Sequence, residues 1–251
     1  MSVSEFKNIT YAWMILSLVI FILLFKITAP YGRHTRKGWG PTISNTLGWM
    51  MMEAASPLAF AFFFLQGGEK SLVNWIFFGM WMGHYFNRSI IYPLRIPGKS
   101  KRMPLLICVS AIFFNVMNGF LNGCFLGTFK PDYDNSWLTD VRFLSGVALF
   151  ITGFIINFNS DNILFHLRKN SAKGEYKIPS GGLFKWVSCP NYLGEIIEWS
   201  GWALAIWSLP GLSFALWTAA NLLPRALKHH AWYRANFKDY PLTKAIIPGI
   251  L

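Results

Sequence analysis

The chain has 251 residues, 53% of them hydrophobic and only 14% charged, with aromatics at 18% and twelve Trp. Soluble domains carry about 25% charged residues, so the composition excludes an ordinary water-facing globule and points to lipid. A formal net charge of +12 would suggest nucleic acid on a soluble protein, but here the basic residues cluster between apolar runs, the pattern of membrane topology rather than of a nucleic-acid surface.

Apolar runs close to the ~20 residues that cross a bilayer predict seven helices, at roughly 11–29, 46–66, 71–93, 104–127, 143–167, 190–208 and 211–236. The fold class is therefore all-α: one polytopic membrane domain over residues 1–251, with no internal repeat. The first run, Trp13 to Phe25, competes with a signal-peptide reading, but no small-x-small cleavage site follows and the run continues to Ala29. A retained span is expected. Pro190 suits a helix start, and Ser208-Leu209-Pro210-Gly211 breaks the last two spans as a short hairpin.

Charge sets the orientation. Loop 30–45 carries Arg33, Arg36 and Lys37 with no acid, and loop 94–103 carries Arg95, Lys99, Lys101 and Arg102. Loop 168–189 sets Arg168, Lys169, Lys173, Lys177 and Lys185 against Glu175, and the tail sets Arg225, Lys228, Arg234, Lys238 and Lys244 against Asp239. The alternate loops are balanced, with Glu69 beside Lys70, and Asp132, Asp134 and Asp140 against Lys130 and Arg142. The positive-inside rule then puts the N-terminus outside and the C-terminus in the cytoplasm. A multi-pass protein of the bacterial inner membrane, or of the endoplasmic reticulum in a eukaryote, is expected. Cys108, Cys124 and Cys189 have no CxxC or paired spacing, so they imply neither a metal site nor a disulfide framework.

Ionisable groups at membrane depth are the candidates for function. Glu53 is the lone charge in the run 48–65, four residues before Pro57. Denied water and a cationic partner, a carboxyl stays neutral and can donate a hydrogen bond to a carbonyl. A structural acid paired with Arg88 explains it equally well. In HYFNR, residues 84–88, His84 and Arg88 are four apart on one face, and Tyr85 needs a partner for its hydroxyl. An interfacial aromatic with a snorkelling Arg is the ordinary reading there.

The run 156–169 is denser. Asn157, Asp161 and Arg168 recur at intervals of four and seven, which puts an amide, a carboxylate and a guanidinium on one stripe suited to a sugar phosphate. An interhelical clamp competes, but three groups on one face favour a ligand. Asn191, Glu195 and Glu198 repeat the spacing, and Arg225, His229 and Tyr233 do so at strict intervals of four. A surface amphipathic helix accounts equally for the last set alone. The three stripes agree in depth and describe a polar chamber opening toward the cytoplasm. No GxGxxG, Walker loop or HExxH is present, and no metal is expected; His229 and His230 lack a clear third ligand.

The stretch 178–199, IPSGGLFKWVSCPNYLGEIIEW, resembles the signature of the steroid 5α-reductase family. YGRHTRKG (31–38), HYFNR (84–88), TDVRF (139–143), INFNSD (156–161) and DYP (239–241) fall in matching order. The resemblance runs from about residue 30 to the C-terminus, and a bacterial member is expected. It implies a seven-helix membrane enzyme that uses NADPH to reduce 3-oxo-Δ4-steroids, with hydride passing to C5. It implies that Glu53 and Tyr85 hold the 3-keto oxygen. For the cofactor it implies Asn157, Asp161, Arg168, Tyr176, Asn191, Glu195, Arg225, His229 and Tyr233, with Tyr31, Arg33, Lys101 and Arg102 in the loops. One departure is Met52, where animal members carry Gln before the Glu; the Glu–Tyr pair is retained.

The implied partners are the bilayer and a small lipophilic steroid entering laterally from the outer half, with no nucleic acid and with a monomeric state. Two rivals make other demands. A methyltransferase of the isoprenylcysteine type would bind S-adenosylmethionine and needs no donor pair beside a hydride acceptor. A non-catalytic sterol carrier or transporter would place polar groups at the midplane of repeated halves.

Overall fold

Every predicted span is helical in the computed structural model, which describes all residues except 35, 37, 98–100, 131 and 172–174. Lys37, Lys99 and Lys173 of the basic loops lie outside the described residues. In chain order the elements are α1 (Val3–Lys26), β1 (Thr42–Ser44), α2 (Asn45–Phe64), α3 (Leu72–Phe86), α4 (Tyr92–Arg95), β2 (Arg102–Pro104), α5 (Leu105–Cys124), α6 (Val141–Lys169), α7 (Pro190–Ile206) and α8 (Leu209–Asn236). A π turn, Asn87–Ile91, joins α3 to α4, and a second, Phe125–Phe129, extends α5.

Among the described residues four helical segments are long and apolar enough to cross a membrane: Val3–Lys26, Asn45–Phe64, Leu105–Phe129 and Val141–Lys169. Side chains such as Ile15, Leu18 and Ile22 of α1 are exposed, which is stable only where the surrounding solvent is itself apolar. The other predicted spans are helical but less regular. The third is interrupted by the π turn, α7 has 17 residues, and α8 carries Arg225, Lys228 and Arg234 in its second half. The first helix begins at Val3 rather than near residue 11. Ser2 and Glu5 form a capping box there: the Ser2 N–H donates to Glu5 Oε2 at 2.7 Å, and the Glu5 N–H donates to Ser2 Oγ at 3.2 Å.

The chain divides into two compact units, Met1–Thr10 with Ala29–Phe143, and Tyr11–Thr28 with Leu144–Leu251. In the first, α5 lies directly on α2 through three glycines four residues apart. A Cβ on Gly119 would stand 2.7 Å from the Ser56 carbonyl oxygen, and one on Gly123 would stand 2.6 Å from that of Phe60. At Gly127 the corresponding distance to the Phe63 oxygen is 2.5 Å. Small residues at this spacing let backbones approach where lipid supplies no hydrophobic drive. The buried Asn74 side chain donates to the carbonyls of Leu126 and Lys130 at 2.9 and 2.8 Å, satisfying groups that the end of the α5 segment leaves open. The loops before α2 and α5, which the sequence reading left without structure, pair as a short antiparallel ribbon of β1 and β2 with Ile43 opposite Met103.

In the second unit α6 and α7 meet through reciprocal glycines seven apart. Gly146 and Gly153 of α6 face Ala205 and Glu198, and Gly194 and Gly201 of α7 face Asn157 and Phe150. Pro190 opens α7 as expected. The hairpin to α8 is made by Trp207 in the left-handed region at φ 43° and by Ser208, whose Oγ accepts from the Gly211 N–H at 3.1 Å. The tail returns to the loop before α7: the Ser188 N–H donates to the Lys244 carbonyl at 2.8 Å, and the Cys189 N–H donates to that of Ala245 at 3.1 Å.

Candidate active site

In the first unit, Glu53 sits on α2, half-buried, and Tyr85 sits near the end of α3 at 3% exposure. Pro57 has no N–H to offer the carbonyl four residues earlier, that of Glu53, and α2 runs as one helix through both. Asn115 of α5 reaches both helices. Its Nδ2 donates to the Met52 carbonyl at 2.7 Å, and its Oδ1 accepts from the Tyr85 hydroxyl at 3.4 Å. The Ser89 hydroxyl donates to the Tyr85 carbonyl at 2.6 Å within the π turn.

Arg88 does not snorkel. It is buried, with its guanidinium over the rings of Trp49 at 5.2 Å and Tyr92 at 4.4 Å. The π turn and these two rings keep it inside, so the ordinary reading of HYFNR as an interfacial group is corrected. His84 is buried as well. Tyr31 and Arg33 are half-buried at the short 3-10 turn Gly32–His34. Lys101 and Arg102 are exposed at β2, where Arg102 Nε donates to Thr42 Oγ1 at 2.8 Å.

In the second unit the predicted stripes converge. Asn157 Nδ2 of α6 donates to the Asn191 carbonyl at 2.9 Å and stands 3.5 Å from Glu195 Oε2. Asn191 Nδ2 donates to Asp161 Oδ1 at 3.3 Å. On α8, Arg225 Nε donates to the Tyr192 hydroxyl oxygen at 3.1 Å, and that hydroxyl lies 3.1 Å from His229 Nε2. An Arg nitrogen can only donate, so the Tyr192 hydroxyl oxygen accepts from Arg225 while it also bonds His229. Asn157, Asp161, Arg225, His229 and Tyr233 are buried, and Tyr233 stacks on Tyr240 at 5.1 Å with planes 2° apart. Tyr176 is half-buried with its ring 5.1 Å from Trp232. Arg168 is exposed in the last turn of α6, apart from these hydrogen bonds.

The cluster offers guanidinium and imidazole donors for phosphate, with carboxylates and amides that match ribose hydroxyls and a carboxamide. That donor set fits a dinucleotide. Two residues that hold these groups together were not candidates in the sequence. Tyr192 lies one position off the Asn191–Glu195 stripe, and Asn115 is one of three uncharged amides in an otherwise apolar run. A buried polar side chain must find a partner, which is the signal that both gave.

The family model for 3-oxo-5-alpha-steroid 4-dehydrogenase matches residues 101–251. The chain is 43% identical over 244 residues to a steroid 5-alpha-reductase of Gossypium hirsutum, covering 94% of this chain and 93% of that one. It is 44% identical over 241 residues to the Arabidopsis thaliana steroid 5-alpha-reductase, covering 91% and 90%. It is 39% identical over 243 residues to 3-oxo-5-alpha-steroid 4-dehydrogenase 1 of Bos taurus, covering 94% and 93%. Plant and animal relatives are thus matched almost end to end, and the chain belongs to the 3-oxo-5-alpha-steroid 4-dehydrogenase, or steroid 5-alpha-reductase, family.

Proposed function

We propose that this protein is a multi-pass membrane oxidoreductase that reduces the Δ4 double bond of 3-oxo-Δ4-steroids to the 5α-dihydro product, using NADPH. We read seven spans, with the N-terminus outside and the C-terminus cytoplasmic. The observation that carries the reading is the buried Tyr85 hydroxyl, tied through Asn115 to the backbone next to Glu53, in a chain matched end to end by steroid 5-alpha-reductases.

When bound, NADPH supplies the hydride that adds to C5. The electron pair displaced from the double bond moves to the 3-keto oxygen, and as it returns a proton drawn from water adds at C4 and completes the reduction. Donors already aimed at an oxygen gaining charge stabilise the transition state more than the ground state; losing one such donor typically costs ~3 kcal/mol. Tyr85 donates a hydrogen bond from its phenolic O–H to that oxygen. We assign Glu53 the second hydrogen bond to the same oxygen, donated in its carboxylic acid form. Asn157, Asp161, Asn191 and Glu195 would orient the ribose and carboxamide, while Arg225 and His229 take phosphate. The family resemblance adds Tyr31, Arg33, Lys101, Arg102, Arg168, Tyr176 and Tyr233 to the residues that would bind the cofactor.

The test is anaerobic incubation of the purified protein in lipid nanodiscs with NADPH and progesterone or testosterone, followed by product identification. The 5α-dihydrosteroid is expected. No steroid-dependent NADPH oxidation, or a melting temperature raised by S-adenosylmethionine and not by NADPH, would overturn the reading.

A further inference from the structure

The α5 segment carries three buried asparagines, and they do not behave alike. Asn118 Nδ2 donates back to the Phe114 carbonyl at 2.8 Å, and Asn122 Nδ2 donates to that of Asn118 at 3.0 Å. Each of these amides donates to a carbonyl one turn back in its own helix. Asn115 instead spends its amide on two other helices, at 2.7 Å to Met52 and 3.4 Å to Tyr85. An amide buried in an apolar run is costly unless its bonds are made, and a hydrophobic residue there would pack without that cost.

The orientation of this amide is dictated by its partners. A backbone carbonyl can only accept, so Asn115 must turn Nδ2 toward Met52, and its Oδ1 therefore faces Tyr85. The Tyr85 hydroxyl then has a fixed acceptor. The contact is nevertheless long for O–H···O, whose usual range ends near 3.0 Å. It guides the hydroxyl without gripping the proton. Met52 directly precedes Glu53, so the same amide keys the phenol to the backbone that carries the acid.

We propose that Asn115 is a positioning residue for the reaction: it aligns the Tyr85 hydroxyl with Glu53 and releases the phenolic O–H to hydrogen-bond the substrate oxygen as charge develops there. The inference rests on the enone-reductase reading above. It makes the contribution of Asn115 dependent on the Tyr85 hydroxyl, which a simple bridge between α2 and α5 would not be.

The test is a double-mutant cycle of Asn115→Leu, which keeps the branching and heavy-atom count and removes the amide, with Tyr85→Phe. Steady-state turnover of progesterone is measured with each variant in nanodiscs, beside a thermal melt. In the wild-type background Asn115→Leu is expected to lower kcat by roughly 10- to 100-fold, somewhat less than the loss of a whole oxyanion donor, with the KM for NADPH within about threefold. In the Tyr85→Phe background the same substitution is expected to cost less than about threefold, because groups acting as a unit are not additive. Equal losses in both backgrounds, or unchanged turnover of Asn115→Leu, would overturn the inference and leave the reductase reading standing. Absence of steroid-dependent NADPH oxidation by the wild type would overturn both. A Tyr85→Phe variant as active as wild type would remove the hydroxyl from the chemistry and Asn115 with it.

Discussion

Gly194→Ala tests whether the α6–α7 contact builds the cofactor site. The added Cβ would stand 2.5 Å from the Asn157 backbone nitrogen and 2.7 Å from the Gly153 oxygen, where ordinary contact begins near 3.4 Å. Both obstacles are backbone, so no side chain can swing aside, and the helices must part by about 0.9 Å, since packed interiors have no slack to absorb it. The Asn157 to Asn191 bond of 2.9 Å would then stretch to about 3.8 Å, and the 3.3 Å Asn191 to Asp161 bond to about 4.2 Å, past useful hydrogen-bond range. Overpacking of this kind costs ~1–3 kcal/mol of stability. A comparable loss of binding raises the NADPH Kd by roughly 10- to 100-fold, at about 1.4 kcal/mol per decade. The assay is a fluorescence titration of NADPH against the nanodisc protein, with Gly79→Ala as control. Nothing lies within 4 Å of a Cβ at Gly79, so that variant should bind as wild type does. A lowered melting temperature for Gly194→Ala with an unchanged NADPH Kd would refute the reasoning, because the contact would then be structural only.

Other perturbations separate the two halves of the chemistry. Glu53→Gln should fold and bind NADPH normally while turnover falls by ~10²–10³-fold; unchanged turnover in the purified protein would remove Glu53 from the reaction. Tyr192→Phe breaks the link between Arg225 and His229; it should raise the NADPH Kd by roughly tenfold and leave steroid affinity in place, as a titration of each ligand will show. Outside the spans, the Arg142 side chain and backbone N–H hold the Asp140 carboxyl down at about 2, below its ordinary 3.8. Because the folded value is the lower one, the stability it supplies is complete above pH 3.8 and lost as pH falls from there through about 2. Melting curves should therefore fall more steeply with acid for the wild type than for Asp140→Asn across that interval. The site is exposed, so the difference should also shrink with added salt.

The parts of the fold visible in the sequence were those set by local periodicity and punctuation. Pro190 opens α7 and the Ser208–Gly211 break closes the hairpin, both at the expected places. The start of α1 was placed late because the apolar run begins near residue 11, while the helix is launched by the Ser2/Glu5 box in a polar segment. The β1–β2 ribbon joins loops some sixty residues apart, and no local pattern reports such a pairing. The Gly119/Gly123/Gly127 series was present to be read as a small-residue seam, but only the coordinates identify α2 as its partner.

The candidate site divides the same way. Stripes at intervals of four and seven brought forward Asn157, Asp161, Asn191, Glu195, Arg225 and His229, and the structure links Asn157, Asp161, Asn191 and Glu195 in one hydrogen-bonded set. Tyr192 escaped because it lies off the α7 stripe, and Asn115 because the set Asn115, Asn118 and Asn122 carries no charge to mark it. Arg168 shares the spacing of Asn157 and Asp161, yet the last turn of α6 carries it to the surface.

The most direct test of the central claim follows the hydride. Progesterone is turned over anaerobically in nanodiscs with NADPH carrying deuterium on either face of the nicotinamide C4, and the product is located by mass spectrometry and NMR. The account predicts a single deuterium at C5 on the α face from one of the two labelled cofactors, with its rate of appearance collapsing in Glu53→Gln. Label at another carbon, product with no label from either cofactor, or an undiminished rate in Glu53→Gln would contradict it.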